Sequence, residues 1–407
     1  MNKHFTLLCF LLALSTSIFS RAVTAAPVID TVANLSPIIP GDTILQTATL
    51  QGAINACNAS GGGKVIVLPG TYAIGPITMK SNVDLYLDSG ATLLGSTNMS
   101  DWTVGGSLLN LIGGKNLQNV SITGKGTING SGASWWNAYN ADNSISRPRL
   151  IYLTSVTNFT VDGITLLNSP SFHLVPNQCT NLFINNVTIT ASKTSPNTDG
   201  IDPSYCKNVF ITNCTIDVGD DCIAIKSGRI NGVLSPAFSQ DIVVSNCTFL
   251  HGHGLSIGSE TDDGVKNLSV SGCTFNGTTN GIRLKSGSGL GGLMQNLYYT
   301  NITMKNVTNP IVVDLNYSTS TTYPTDIPAV NGLYINNLTV TGAANAGSMI
   351  GLSNSLLQNI NFSNITITAK TGLVLTDISG MTMSNWKITV SSGSQIISTN
   401  VTGNKGF

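Results

Sequence analysis

The chain has 407 residues, equal numbers of acidic and basic side chains, and only 9% charged positions. That length admits one large domain or two to three smaller ones, and neutrality argues against a nucleic-acid binder that works by bulk charge. Gly, Ser, Thr and Asn are abundant while Lys, Glu and Arg are few, which favours many short strands and turns over helices.

Residues 1–26 read as a secretory signal. Lys3 supplies the leading charge, Phe5 to Phe19 the apolar core, and Ala22 to Ala26 the small residues of a cleavage site. The apolar run is shorter than the ~20 residues that span a bilayer, and no other stretch is long enough. Residues 27–407 are therefore expected to form a single secreted, soluble domain with no membrane partner. Cys9 leaves with the signal, and the seven remaining cysteines are Cys57, Cys179, Cys206, Cys214, Cys222, Cys247 and Cys273. An odd number implies a free thiol or an intermolecular bridge, and the spacing does not resemble a zinc site.

The first element is a helix over residues 42–57, with Asp42 or Thr43 as its cap and Leu45, Ala48, Ala53, Ile54 and Cys57 as its apolar stripe. Strands follow at Lys64 to Leu68, Val83 to Leu87 and Ala91 to Leu94. From about residue 119 a nine-residue pattern recurs: Asn, apolar, x, apolar, x, Asn or Gly, apolar, Thr, apolar. It reads NFTVDGITL from Asn158, NLFINNVTI from Asn181, NVFITNCTI from Asn208, DIVVSNCTF from Asp241, NLSVSGCTF from Asn267 and NLYYTNITM from Asn296. GLYINNLTV from Gly332 and NINFSNITI from Asn359 follow, and a degenerate copy lies near Gly380. Anchors spaced by 21 to 36 residues around a constant core describe a solenoid whose coils differ in their loops. Each unit is a short alternating strand that buries its apolar face only by stacking. The expected fold is all-β: a right-handed parallel β-helix of roughly ten coils, with the residue 42–57 helix plugging one open end.

The repeat also predicts a stacked Asn column in left-handed turns, because Asn tolerates that backbone and bonds neighbouring turns. Cys214, Cys247 and Cys273 occupy the apolar slot held by Ile164, Val187 and Ile302 in other coils, so they are expected as buried thiols. Cys179 and Cys206 fall at equivalent positions one coil apart, which is within disulfide range and leaves a bridge open there.

A second strand aligns in the central coils. Cys222-Ile-Ala-Ile-Lys-Ser227 matches Gly254-Leu-Ser-Ile-Gly-Ser259 and Gly281-Ile-Arg-Leu-Lys-Ser286, with Gly200-Ile-Asp-Pro-Ser204 one coil earlier. The residues leading these strands are Asp199, Asp221, His253 and Asn280, and the second positions are Asp202, Ala224, Ser256 and Arg283. The fourth positions are Ser204, Lys226, Gly258 and Lys285. Side chains alternate with period two, so Asp199, Asp221, His253, Arg283, Lys226 and Lys285 should share one outward patch with Asp220 at its edge. Carboxylates this close cannot all ionise freely, so at least one pKa should rise. A protonated and an ionised carboxyl side by side suit glycoside hydrolysis, one as acid for the leaving oxygen and one as base for water. His253 is placed to tune the protonation of the acid. Arg283 and Lys285, expected beyond the acids along the groove, imply an anionic substrate such as a sugar-acid polymer.

Four motifs, Asn197-Thr198-Asp199, Gly219-Asp220-Asp221, Gly252-His253-Gly254 and Arg283-Leu284-Lys285, give the chain a close resemblance to the polygalacturonases of glycoside hydrolase family 28. The likeness runs from about residue 48 to 320 and includes Arg147-Pro-Arg-Leu-Ile151, Asn168-Ser169-Pro170 and Tyr317. It implies an inverting hydrolase of polygalacturonate or pectin. Asp220 would be the general acid, Asp199 and Asp221 would activate water, and His253 would keep the acid protonated. Arg283 and Lys285 would hold a galacturonate carboxylate, and Tyr317 would contribute to binding. Lys226 and Asn197 are further candidates for substrate binding. Many fungal members bridge the cysteine after the double aspartate to one before Gly-His-Gly, where this chain has Phe249 and Leu250. No cofactor or metal is expected, and the chain is read as a monomer. Endo action is favoured, with exo action, a rhamnogalacturonan hydrolase, a calcium-dependent pectate lyase and a non-catalytic pectin-binding β-helix as alternatives.

Overall fold

The structure is a computed structural model and describes residues 30–37, 44–229, 238–318, 320 and 322–407. The signal segment, Asp42 and Thr43 lie outside the described residues.

One 27-stranded sheet winds through the chain, and every pairing in it is parallel. Successive coils stack strand on strand along three faces, which makes the fold a parallel β-helix. The repeat forms two of them. Its first half pairs Phe159 with Leu182, Leu182 with Val209, Val209 with Ile242 and Ile242 with Leu268. Its Thr-x segment forms the second face, with Thr165, Thr188, Thr215, Thr248 and Thr274 in one column. The third face stacks Ile151, Leu174, Ile201, Ile223, Leu255, Ile282 and Ile311. All of these apolar residues except Ile242, at 1%, are fully buried, so one continuous core runs the length of the coil.

The corner between coils is where sequence and backbone agree most closely. Asn158, Asn181, Asn208 and Asn267 sit in the left-handed region, with φ of 61°, 59°, 55° and 58°. Each amide donates to the Asn below it: Asn158 to Asn119 at 2.8 Å, Asn181 to Asn158 at 2.9 Å and Asn208 to Asn181 at 2.9 Å. Asp241 takes the same φ and accepts from Asn267 at 2.8 Å, so the ladder continues through a carboxylate. The second Asn of the repeat is also left-handed, as at Asn213, Asn246, Asn301 and Asn337. Cys214, Cys247 and Cys273 are buried as expected, and all seven described cysteines, Cys179 and Cys206 included, are free and buried. Phe249 packs against Phe275 at 4.7 Å in the core.

The first helix, α1, runs Thr47–Ala59 and buries Leu50, Ile54 and Cys57 against the opening strands. It starts later than the sequence indicates. Its N-cap is Gln46, whose side chain accepts from Ser36 N rather than closing the helix, and Thr47 Oγ1 accepts from Gly75 N at 2.7 Å. A second helix, α2, spans Ala133–Ala141 and has no side-chain cap to announce it. Tertiary packing holds it: Trp135 is buried edge-on against Trp102, with ring centroids 5.9 Å apart.

The ladder makes a direct prediction. Asn181→Ala removes two amide bonds and leaves a Cβ-bearing residue at φ 59°, a loss of about 2 kcal/mol in chemical denaturation. Asn181→Gly keeps the backbone and should lose roughly half as much.

Candidate active site

Four third-face strands carry the site: β1 (Ile223–Ile225), β2 (Leu255–Ile257), β3 (Asn280–Lys285) and β4 (Asn309–Asp314). Their register matches the alignment read from the sequence. Ile223, Leu255, Ile282 and Ile311 form one column and Ala224, Ser256, Arg283 and Val312 the next. Isolated bridges put Ile201 opposite Ile223 and Ser204 opposite Lys226. Asp199 and Asp221 therefore stand on consecutive rungs, joined by Gly200 N–H to Asp221 O at 2.9 Å, and His253 follows.

Local chemistry explains the motif residues. Asn197 is left-handed at φ 50°, and Thr198 Oγ1, fully buried, accepts from Gly219 N at 3.1 Å. That bond ties the turn before Asp199 to the turn before Asp220. Gly252 and Gly254 flank His253 at φ +83° and +72°, and a Cβ on either would lie 2.1 Å from Asp220 O or 2.2 Å from Asn280 O. Only glycine allows the coils to close this tightly around the histidine.

Asp221 is the best-held group. Its Oδ1 accepts from Ser256 Oγ at 2.7 Å and Arg283 Nη1 at 3.2 Å, and its Oδ2 accepts from Lys285 Nζ at 2.7 Å. Arg283 and Lys285 stand two coils beyond Asp221, and their side chains fold back onto it, a contact the sequence does not indicate. Register gives the face of a side chain, whereas these long side chains reach across two coils to a buried charge. Tyr317, 46% exposed, lies over both cations, 5.1 Å from Arg283 Cζ and 5.5 Å from Lys285 Nζ.

Asp220 is the most open of the three acids, with its side chain 22% exposed against 2% for Asp221. Its Oδ1 meets His253 Nδ1 at 3.1 Å and Asp221 N at 2.8 Å, and its Oδ2 accepts from Asn197 Nδ2 at 3.4 Å. Burial raises the Asp220 pKa, but the His253 hydrogen bond and charge, with the Asp221 N–H, outweigh it and hold the carboxyl below its ordinary value. In the free protein the contact with His253 thus favours the ionised form of the Asp220 carboxyl.

Asp199 behaves oppositely. Burial, then the charges of Asp202, Asp220 and Asp221, push it well above the ordinary range. The expected raised carboxyl is therefore Asp199, whose Oδ1 is buried without a hydrogen-bond partner. Beneath it His173, fully buried, contacts Asp199 O through Nδ1 at 2.9 Å and is pushed down to about 4, first by burial.

Two contributors carry weaker sequence signals. Arg147 stacks on Tyr139 at 3.7 Å and donates to Pro170 O, Pro196 O and Asn197 Oδ1, so it orients the Asn197 amide toward Asp220. Its motif was visible, but its reach was not. Asp202 is 1% exposed, and neither of its oxygens meets a hydrogen-bond partner. Burial pushes it up to about 7 despite Lys226. Lys226 itself pairs with Glu260 at 3.3 Å.

Ligand atoms of Asp220, Asp221 and His253 lie within 4.8 Å of one another and offer a cation three donors. Both Asp221 oxygens are already engaged by fixed cations, however, so an added ion would compete with Lys285 and Arg283.

Strand pairing and charge together define a parallel β-helix with a carboxylate-centred site on its third face. The family model described as glycosyl hydrolases family 28 matches residues 57–405, well past the 48–320 carrying the motifs. An endo-polygalacturonase of Pectobacterium carotovorum subsp. carotovorum is 34% identical over 308 residues, covering 69% of this chain and 74% of that protein. The crystal structure of polygalacturonase from Erwinia carotovora ssp. carotovora superposes with TM-score 0.72 at 28% identity, covering 93% and 99% of the two chains. An exopolygalacturonase from Thermotoga maritima gives TM-score 0.79 at 25% identity, covering 91% and 94%. The chain belongs to glycosyl hydrolase family 28.

The buried acids make a testable statement about pH. Asp202 titrates at about 7 in the fold and near 4 when unfolded. The stability it contributes is full below pH ~4 and is lost as pH rises toward 7. Asp199 acts in the same direction, Asp220 in the opposite one. Asp202→Asn should therefore flatten the fall of Tm between pH 4 and 7, whereas parallel curves for the two proteins would contradict the assignment.

Proposed function

We propose that this protein hydrolyses the α-1,4 linkages of polygalacturonate or pectin, by attack of water with inversion. The observation that carries the reading is three carboxylates on two consecutive rungs, flanked by Arg283 and Lys285, in a member of family 28. The anionic polymer is the substrate that such a cationic flank selects.

Asp220 is the general acid, because among the three carboxylates its side chain is the one open enough to meet a glycosidic oxygen. A galacturonate carboxylate arriving at Arg283, Lys285 and Tyr317 adds negative charge next to Asp220 and draws on the same cations. Both effects raise its pKa and favour proton uptake as substrate binds. Asp221, clamped by Lys285 and Arg283, takes a proton from the attacking water, with Asp199 holding that water from the adjacent rung. Water oxygen bonds to the anomeric carbon, the glycosidic bond breaks, and the leaving oxygen receives the Asp220 proton. His253 and Asn197 fix the two oxygens of Asp220, and Lys226 extends the cationic lining. Endo action is the favoured mode, supported by endo-polygalacturonases among the relatives, although exo enzymes share the fold.

The chain works as one catalytic unit over residues 27–407, as an exported monomer, with residues 1–26 as signal. No described helix is long and apolar enough to cross a membrane, in keeping with that reading.

Purified protein should release reducing ends from polygalacturonate. The rate should be bell-shaped in pH with an acidic optimum, should survive chelator, and should form no ultraviolet-absorbing product. Asp220→Asn should lower kcat about 10³-fold or more with little change in KM. Full activity in that variant, or chelator-sensitive formation of unsaturated product, would reject the reading. A time course of product length on long polygalacturonate separates endo from exo cleavage.

A further inference from the structure

The connection that follows β4 carries Tyr317 and leads to the strand opening at Ala329. It lies flat on the turn before it. Tyr317 N donates to Ser286 O at 3.0 Å, Ser320 N to Ser288 O at 2.8 Å, and Gly289 N to Asp326 O at 2.8 Å. A Cβ on Gly287 would overlap Ser318 O, and one on Gly289 would overlap Ser320 O. Glycine at both positions lets the connection rest directly on the turn that follows β3. Tyr317 is thereby carried over Arg283 and Lys285.

One side chain ties this connection to coils further back. Arg229 follows β1, 97 residues before Asp326, and donates through Nε to Asp326 Oδ2 at 2.9 Å, with Nη2 on the same oxygen. Its Nε also lies 3.5 Å from Oδ1 of Asp262, which follows β2. The Tyr323 ring covers the guanidinium, its centroid 3.8 Å from Cζ. β1 and β4 are three coils apart, roughly 14 Å at ~4.8 Å per coil, so this contact joins the first and last of four successive turns at one corner. The side chains of Arg229, Asp262 and Asp326 are 15%, 4% and 13% exposed, and water screens such a contact little. Burial, and then the charge of Asp326, raise the Asp262 carboxyl above its ordinary value, so the two acids act on each other. An uncharged residue at position 229 removes the cation that both share, and two buried like charges then oppose each other.

We propose that Arg229 is a positioning residue for substrate binding: by tying Asp326 to Asp262 it holds the connection that sets Tyr317 over Arg283 and Lys285. This deepens the reading above and rests on it. Among the described residues Arg229 pairs with Asp262 and Asp326 and with none of Asp199, Asp220 and Asp221, so its loss should act on binding and leave the chemical step alone. An ion pair that only stabilised the fold would lower Tm and leave the KM of the folded protein unchanged.

The test measures kcat and KM on polygalacturonate, with Tm alongside, for wild type, Arg229→Gln, Arg229→Lys, Asp326→Asn, Tyr317→Ala and the double variant Arg229→Gln/Tyr317→Ala. Arg229→Gln and Asp326→Asn should each raise KM about five-fold with kcat within about two-fold of wild type. Asp326→Asn breaks the same tie from the other side, so it decides the matter where Arg229→Gln does not fold. Arg229→Lys should recover part of the loss, because it restores the charge without the fork. The double variant should be no worse than Tyr317→Ala alone. In parallel, chymotrypsin should cut after Tyr317 faster in Arg229→Gln and Asp326→Asn than in wild type. Additive losses in the double variant, an unchanged KM, or equal cutting in all three proteins would overturn the assignment. If wild type cleaves no polygalacturonate the hydrolase reading fails, while the rate of chymotrypsin cutting still decides whether Arg229 holds the connection.

Discussion

A slip of one residue in any coil of the third face would turn the Ile223–Leu255–Ile282 column outward and send its polar partners into the core. The whole site depends on that register. The apolar column excludes the slip, because each of those side chains is fully buried and fully burying one contributes about 1.5–3 kcal/mol. Side-chain amides at the corner reinforce the register, since each Asn bonds the Asn one coil below. The scaffold thus fixes the spacing of the acids.

Charge compensation is the second organising fact. Four carboxylates, Asp199, Asp202, Asp220 and Asp221, face three fixed cations, Lys226, Arg283 and Lys285. The two ion pairs on Asp221 use two of the cations, and Lys226 is shared with Glu260. Of the remaining carboxyls, burial raises the pKa of Asp199 and Asp202, and His253 contacts Asp220. Buried charges without partners cost several kcal/mol each, so the free protein holds its acids in different states by position. Burial holds the pKa of the deep pair up, Lys285 and Arg283 clamp the middle acid, and His253 holds the pKa of the outer acid down until an anionic sugar arrives.

Much of this was legible in the sequence, for a physical reason. Alternation with period two assigns each residue to a face, and the recurrent Asn assigns each coil its start. Those two rules placed Ile201 opposite Ile223, Ser256 beside Arg283, and Asp199 one rung from Asp221. They were silent on what long side chains do after leaving the backbone. Lys285 and Arg283 were correctly placed on the outward face, yet their clamp on Asp221 depends on reach and burial. Asp202 appeared only as a member of a column, because no periodicity distinguishes a solvated acid from one sealed beneath a turn. The α2 helix was invisible for a related reason: ASWWNAYNA has no cap, and Trp135 against Trp102 is a contact between distant residues. The start of α1 shifted because Gln46 and Thr47 spend their polar atoms on the neighbouring coil.

The central claim is that Asp199 and Asp221 direct a water molecule to the face of the anomeric carbon opposite Asp220. Proton NMR of the earliest products from an α-linked galacturonate oligomer tests it most directly. The account predicts that the new reducing end appears first as the β anomer and mutarotates later. An initial α anomer, or a vinylic proton of an unsaturated sugar, would contradict it.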